Sequence, residues 1–122
     1  MGDFAPLPTI PPGAIPIVRS STLTGTLYTV PTGRLLHIVT YFGKLQAASG
    51  GGAQVATALI THAIQFDASQ RTPFDMSAAI GTVENLVTAQ LDVPVPAGNI
   101  TLTIVGSPTA ATIGFIGWEE AL

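Results

Sequence analysis

The stretch YTVPTGRLLHIVTYF, residues 28–42, combines a turn signal with a run of apolar and β-branched residues. Pro31 and Gly33 are typical turn residues, because proline fixes φ and glycine tolerates positive φ. The nine residues that follow are apolar at both alternating sets of positions, which predicts a strand buried on both faces. We therefore expect the core on one side of this strand and a partner surface on the other.

A second stretch, VPVPAGNITLTIVG at residues 93–106, repeats the turn signal and then alternates strictly. Its isoleucine and leucine residues fall on one side of the predicted strand and its threonines on the other, the period of a half-buried strand. We expect both turns to lead into inner strands of one β-structure. We expect the partner surface to lie nearer to the first turn than to the second.

The rest of the chain also has the pattern of short strands separated by turns. Residues 21–30 alternate, with Leu23 and Leu27 expected inward, and residues 43–53 have the composition of a loop. Residues 54–66 are ambiguous between helix and strand, and their β-branched residues favour strand. Seven or eight such strands predict an all-β single domain of the β-sandwich or jelly-roll type. Three further segments are expected to form an irregular link with a short strand (71–81), one strand or a bulged pair (82–95), and a closing strand (110–120).

The N-terminal residues differ from this domain in composition. Half of the ten prolines lie in the first sixteen residues, where they exclude helix and inner strand. The intervening residues are too apolar for a solvated linker. We therefore divide the chain into an extended Pro-rich arm, residues 1–20, and a β-sandwich domain, residues 21–122. The arm is expected to lie either on its own domain or on a neighbouring subunit.

The composition excludes several classes of function. Only 9% of the residues are charged, the net charge is −3, and the four cations are scattered, so no nucleic-acid surface is expected. No stretch offers the roughly 20 clean apolar residues of a membrane-spanning helix, and no membrane partner is expected. The chain has no cysteine and therefore no disulfide. The acidic, Pro-rich start lacks the pattern of a secretory signal, so we expect synthesis in a cytoplasm.

No set of residues predicts a chemical reaction. His37 and His62 lie in apolar runs without a clustered third ligand, so no metal site is expected. Their predicted role is hydrogen bonding at a sheet or subunit boundary, with charging near pH 5 as a hypothesis for loosening an assembly. Neither a nucleophilic serine motif nor a phosphate-binding loop is present, and the chain is predicted to be no enzyme and to carry no cofactor.

The single tryptophan, Trp118, lies near the end of the last predicted strand and directly precedes Glu119 and Glu120. One interpretation is a large side chain that closes one end of the sandwich, with two carboxylates that keep the C-terminus in water. The other is an anchor at a subunit interface, where tryptophan is enriched.

The chain as a whole resembles small structural proteins of tailed-bacteriophage virions, in particular capsid decoration, or cement, proteins. The resemblance lies in the cysteine-free, Thr/Ala/Gly/Val-rich β-pattern, the N-terminal arm, the turn of residues 28–36, the later turn of residues 95–102, and the closing GFIGWEEAL. It implies a homotrimeric β-sandwich or jelly roll on the outer surface of a phage head. Its implied partners are the major capsid protein and further copies of itself.

Candidate partner-contact residues follow from the apolar arm and from the predicted strand and tryptophan. They are Phe4, Leu7, Pro8, Ile10, Pro11, Pro12, Ile15, Ile17, His37, Tyr41 and Trp118. Two other interpretations remain: a head-fibre base, tail or spike component, and a carbohydrate-binding β-sandwich module.

Overall fold

The computed structural model describes residues 11–122, and this part of the chain forms one β-sandwich domain without helices. The predicted all-β class is therefore confirmed. Within residues 11–122 the structure has nine strands: β1 (Ile15–Ser21), β2 (Gly25–Val30), β3 (Arg34–Ala47), β4 (Ala56–Ile64), β5 (Asp67–Ala78), β6 (Val83–Val87), β7 (Val93–Val95), β8 (Gly98–Val105) and β9 (Pro108–Ala121).

The strands form two antiparallel sheets that pack face to face. Sheet 1 has the order β1-β9-β3-β6, with β7 also paired to β3, and sheet 2 has the order β2-β8-β4-β5. Strands β6 and β7 pair with successive parts of β3 and together take the place of one interrupted strand. Counted in this way, eight strands in two four-stranded sheets give the arrangement of a jelly roll.

The core lies between the sheets and is built from alternate residues of the central strands. In β4, Ala58 and Ile60 point inward and are buried, while Thr57 and Thr61 point outward and are half-buried. The β-branched and small residues of this segment suit a pleated, half-buried surface. Residues 54–66, whose sequence was ambiguous between helix and strand, therefore contain a strand. The largest fully buried side chains include Tyr41, Phe115, Leu36, Leu102 and Ile100.

The two Val-Pro-x-Gly turns lie side by side at one end of the sandwich. Val30 and Gly98 are paired across β2 and β8, so the turns that follow Val30 and precede Gly98 are neighbours. In the first turn the amide of Arg34 donates to the carbonyl of Pro31 over 3.2 Å, and Gly33 has φ +83°. Each turn carries the chain from one sheet to the other. Both turns lead into central strands, β3 and β8, as predicted.

Several boundaries differ from the sequence-based expectation. Residues 15–21 form the edge strand β1 and pair with β9, so the sandwich begins at Ile15, inside the predicted arm. An edge strand tolerates Pro16, because its outer side needs no backbone donor. Strand β3 continues to Ala47, into the predicted loop, and residues 67–78 form one long strand instead of an irregular link. Leu23 is exposed in the loop before β2, and its predicted inward position is wrong.

Candidate interaction surface

The outer face of sheet 1 carries apolar side chains on neighbouring strands. Val18 of β1 pairs with Ile116 of β9, and Phe42 of β3 pairs with Val87 of β6. Paired residues in antiparallel strands point to the same face. Val18 is 56% exposed, Ile116 44% and Val87 68%, whereas Phe42 is half-buried. These four residues share the outer face of sheet 1, where Thr40 lies opposite Ile116 and Gly114 opposite Phe42, and we call them the sheet 1 patch.

Polar residues limit the sheet 1 patch at one end. The next rows of the same outer face contain Lys44 opposite Asn85 and Gln46 opposite Val83. Because Lys44, Asn85 and Gln46 are exposed, the patch has a polar boundary there. At the opposite end it is flanked by Trp118 and His37, which pair across β9 and β3.

The outer face of sheet 2 has a different chemistry. Thr57 and Thr61 of β4 alternate with Leu59, and Thr101 of β8 pairs with Thr61 and with Thr26 of β2. This face therefore presents mostly hydroxyl groups to solvent. Val105, at the end of β8, is its one strongly exposed large aliphatic residue among the described part of the chain, with 53% exposure. The sequence predicted that β3 is apolar on both faces and that β8 has a threonine face in water, and the structure has this difference.

His37 lies on the outer face of sheet 1 between two carboxylates. Its Nδ1 is 2.7 Å from Oδ1 of Asp92, and its Nε2 is 2.5 Å from Oε2 of Glu120. Each ring nitrogen is therefore within hydrogen-bonding distance of one carboxylate oxygen. Neither nitrogen is free to bind a metal ion or to face a substrate. The two contacts fix the orientation of the ring.

Trp118 packs against this histidine. The two rings are stacked with their centroids 3.9 Å apart and an interplanar angle of 12°. On its other side Trp118 pairs with Pro16 of β1. Trp118 is half-buried, held between neighbours and placed beside the sheet 1 patch, which suits a rigid apolar contact at an interface.

Tyr41 has no exposed surface and does not belong to any outer face. Its hydroxyl group donates to Nε2 of His62 over 2.6 Å, and Nδ1 of His62 donates to the carbonyl of Ala63 over 2.6 Å. Burial lowers the pKa of His62 and raises the pKa of Tyr41, so both side chains are neutral in the core. The prediction that Tyr41 contacts a partner is corrected: its ring faces the sandwich interior.

The other residues that were predicted to contact a partner differ in their exposure to solvent. Ile17 is buried in the core, so its predicted partner contact is wrong, whereas Pro11, Pro12 and Ile15 are exposed. Phe4, Leu7, Pro8 and Ile10 lie outside the described residues. Sequence reasoning missed Val18, Ile116 and Val87. A usable signal was present in TIGFIGW, residues 112–118, which is apolar on both faces like residues 34–42.

Glu119 is not one of the solvated carboxylates that the sequence suggested. It is 3% exposed and lies between the sheets, where its Oε2 accepts a hydrogen bond of 2.8 Å from the hydroxyl group of Tyr28. The Nε of Arg34 lies 3.4 Å from the same oxygen. Burial, and then the bond to Glu119, raises the pKa of Tyr28. Since Glu120 binds His37, both acids have structural roles.

Residues 11–122 contain no group of three or more His, Cys, Asp or Glu side chains that could hold a metal ion. Over the same range no helix has the length and apolar character needed to cross a membrane.

Comparisons with known proteins give little further information. No model of a protein family and no curated protein matches the chain. Among solved structures, the chain is similar to one from work on Bacillus endospore appendages, which are described as a novel family of disulfide-linked pili. The two chains are 12% identical, with a TM-score of 0.39, over 97% of this chain and 99% of the other. A likeness of this size does not indicate a shared function.

Proposed function

We propose that this chain is a non-enzymatic structural protein that works by assembling through the outer face of sheet 1. The observation that carries the proposal is the sheet 1 patch, in which Val18, Ile116 and Val87 are exposed on the same outer face of one sheet. Several large apolar side chains exposed on one face favour an interaction site more than single scattered ones do. The threonine-rich outer face of sheet 2 shows that the same domain can present a polar face where it meets water.

The charge content supports the same conclusion. Only four cationic and seven acidic side chains are available to keep the whole surface in water. Apolar burial contributes about 25 cal/mol per Å², so a modest contact repeated over many copies gives a stable assembly without any chemical step. Cyclic symmetry would cover the sheet 1 patch on every copy, and a homotrimer is our proposal for its form.

The more specific proposal is a capsid decoration protein of a tailed bacteriophage. It would bind the major capsid protein on the outer surface of the head after synthesis in the host cytoplasm. The jelly-roll arrangement supports this proposal, because that architecture is common in viral capsid domains. The Pro-rich N-terminus is also a feature that the resemblance implies for such proteins, and the low share of charged residues, 9%, independently favours contact with partners.

A carbohydrate-binding module is the second candidate, and one cleft favours it. A cavity of about 360 Å³ lies beside the second turn and is lined in part by the amide side chains of Gln65, Gln70 and Asn99. Amides hydrogen bond well to sugar hydroxyl groups, and jelly rolls include lectin domains. Binding of the full chain to a glycan array, reduced by Asn99→Ala, would favour this candidate over assembly.

A matched pair of substitutions tests the assembly proposal. Ile116→Asp places a charge in the sheet 1 patch, and Val105→Asp places the same charge on an exposed residue of sheet 2. Sedimentation velocity of the full chain should give a multiple of 12.5 kDa for the wild type and for Val105→Asp, and the monomer mass for Ile116→Asp. A wild-type monomer at every accessible concentration, or assembly of Ile116→Asp, would contradict the proposal.

A further inference from the structure

We infer that the open edge of β6 pairs with the same edge of a second copy of this chain, so that sheet 1 continues from one copy into the other. This contact goes beyond the proposed function, because it uses backbone groups at the edge of sheet 1 and not the side chains of its outer face. Three features support it: the regularity of β6 among the edge strands, the direction of its backbone groups, and a two-fold register that suits its sequence.

The edge strands of the sandwich differ in how well they could pair with another chain. Proteins commonly protect such edges with proline or with irregular pairing. Within residues 11–122, β1 contains Pro16, β5 contains Pro73, and β2 has a register shift after Thr26. Strand β7, which continues the edge of β6, contains Pro94, and the carbonyl of Pro94 already accepts a hydrogen bond of 3.0 Å from the amide of Gln65. Strand β6 has no proline and a regular ladder with β3, so among the described edges it is the best suited to pairing.

The backbone of β6 directs alternate residues away from β3. The amide of Ala47 donates to the carbonyl of Thr82, and the amide of Thr88 donates to the carbonyl of Tyr41, each over 3.0 Å. In an antiparallel ladder, residues that bond to the neighbouring strand alternate with residues whose amide and carbonyl point the other way. The residues of β6 whose backbone groups point to the open edge are therefore Val83, Asn85 and Val87. All five side chains of β6 are exposed, so no other segment within residues 11–122 covers this edge.

A two-fold axis at Asn85 pairs two copies of β6 over their whole length. Asn85 then lies opposite Asn85 of the second copy, and Val83 lies opposite Val87 on either side of the axis. These are the residues with free backbone groups, and pairs of this kind exchange two hydrogen bonds each, about six in total. Val83 is 45% exposed and Val87 68%, and the two valine pairs would cover part of this apolar surface. An axis at Glu84 would instead place two carboxylates directly opposite each other, which is unfavourable.

The single charged residue of β6 limits the strength of this contact. With the axis at Asn85, Glu84 lies opposite Leu86 of the second copy, and the two Glu84 residues lie on a diagonal, about 7–8 Å apart. Their repulsion weakens the pairing and is screened by salt. Five residues from each copy also form a small contact, and small contacts are weak. We therefore expect the edge alone to pair only transiently, which leaves Ile116→Asp a monomer in sedimentation.

Disulfide trapping in the full chain tests the register, because the chain has no cysteine of its own. Val83→Cys and Val87→Cys are each introduced into Ile116→Asp, so that contact through the outer face does not contribute. In the inferred pair these two positions are opposite, with Cα atoms about 5.5 Å apart, within the range of a disulfide. Each position lies about 13 Å along the strand from its own equivalent. Under mild oxidation an equimolar mixture should form a dimer of twice 12.5 kDa on a non-reducing gel, and either variant alone should remain a monomer.

A matched pair of substitutions at the axis tests whether backbone hydrogen bonds hold the contact. Asn85→Pro removes an amide hydrogen that points to the open edge and leaves the bonds to β3 in place, whereas Asn85→Ala keeps that hydrogen. Added to both members of the mixture, Asn85→Pro should abolish the disulfide dimer and Asn85→Ala should retain it, with cooperative thermal unfolding of both as the control for folding.

Three results would overturn the inference: a mixture that stays monomeric, equal dimer formation by one cysteine variant alone, or an undiminished dimer with Asn85→Pro. A monomeric mixture would assign the open edge of β6 to a different partner or to water. The proposed function is tested separately, by the mass of Ile116→Asp without added cysteines, so either proposal can fail while the other stands.

Discussion

The outer faces of the two sheets differ although the inner faces are alike. The central strands β3 and β8 both follow a Val-Pro-x-Gly turn and both contribute large apolar residues to the core. Outward, β8 presents Thr101 and Thr103, while β3 presents Phe42 next to the apolar residues of β1, β9 and β6. The core requires only one apolar face per sheet, so the second apolar face of sheet 1 needs another explanation. We attribute it to assembly.

The largest expected loss of stability comes from truncating one core side chain in each sheet. This pair of substitutions tests whether the two inner faces contribute equally to one core. Leu36→Ala in β3 and Leu102→Ala in β8 each remove a fully buried side chain. Each should lower the free energy of unfolding by about 2–5 kcal/mol, through lost apolar burial and the cavity that remains. Urea denaturation of the monomeric Ile116→Asp background measures this without a contribution from assembly. A cost below about 1 kcal/mol at only one of the two positions would show that the sheets do not share one core.

A smaller effect is expected from the buried pair that joins the sheets. Tyr41→Phe removes the hydroxyl group that donates to Nε2 of His62 and leaves that nitrogen without its partner. The expected loss of stability is about 1–3 kcal/mol. In a double-mutant cycle with His62→Leu, measured by urea denaturation, the double variant should lose less than the sum of the single variants. Additive losses would mean that the hydrogen bond contributes nothing.

The same histidine should make the domain sensitive to acid. Burial holds the pKa of His62 below its ordinary value of about 6.5, so the unfolded chain binds the proton more readily than the folded one. Stability should therefore decline as the pH falls below about 6.5, by at most about 2 kcal/mol at pH 5. Thermal or urea unfolding of the wild type and His62→Gln across this interval isolates the contribution. An equal decline in both proteins would assign the acid sensitivity to other groups.

The smallest effect on the monomer should come from exchanging the chemistry of the outer faces. Ile116→Thr makes sheet 1 resemble sheet 2, and Thr103→Val makes the reverse change. Both positions lie on outer faces, so unfolding of the monomer should change by only about 0.5 kcal/mol. The mass of the assembly should fall for Ile116→Thr and remain unchanged for Thr103→Val. Loss of assembly in Thr103→Val would place the contact on sheet 2.

The amino-acid pattern predicted the fold class and the asymmetry between β3 and β8, because alternation of apolar residues reports which faces are covered. It did not predict the partners of single side chains. Because residues 34–42 are apolar at both alternating sets of positions, the pattern does not show which face of the strand Tyr41 occupies. The β-bulge between Ile38 and Thr40 also changes the alternation of faces along β3. The environments of Glu119 and Glu120 also depend on cross-strand neighbours that are distant in sequence.

The sheet 1 patch was only partly predictable for a related reason. Val18 and Ile116 are separated by almost the whole chain and become neighbours only through the pairing of β1 with β9. Proline richness suggested that residues 15–20 belong to the arm, whereas an edge strand accepts Pro16. Local sequence patterns report burial along a strand, but the order of strands in a sheet decides which exposed residues become contiguous.

The exposure of two matched valines gives the most direct test of the central claim. Val18 on sheet 1 and Val105 on sheet 2 have nearly equal exposure in the monomer, 56% and 53%. Relaxation of their methyl signals by a soluble paramagnetic agent can be measured by NMR on the wild-type chain across a dilution series. We predict that Val18 becomes protected as the protein concentration rises while Val105 stays accessible. Protection of Val105 with Val18 still accessible, or an assembly in which neither is protected, would contradict assembly through the outer face of sheet 1.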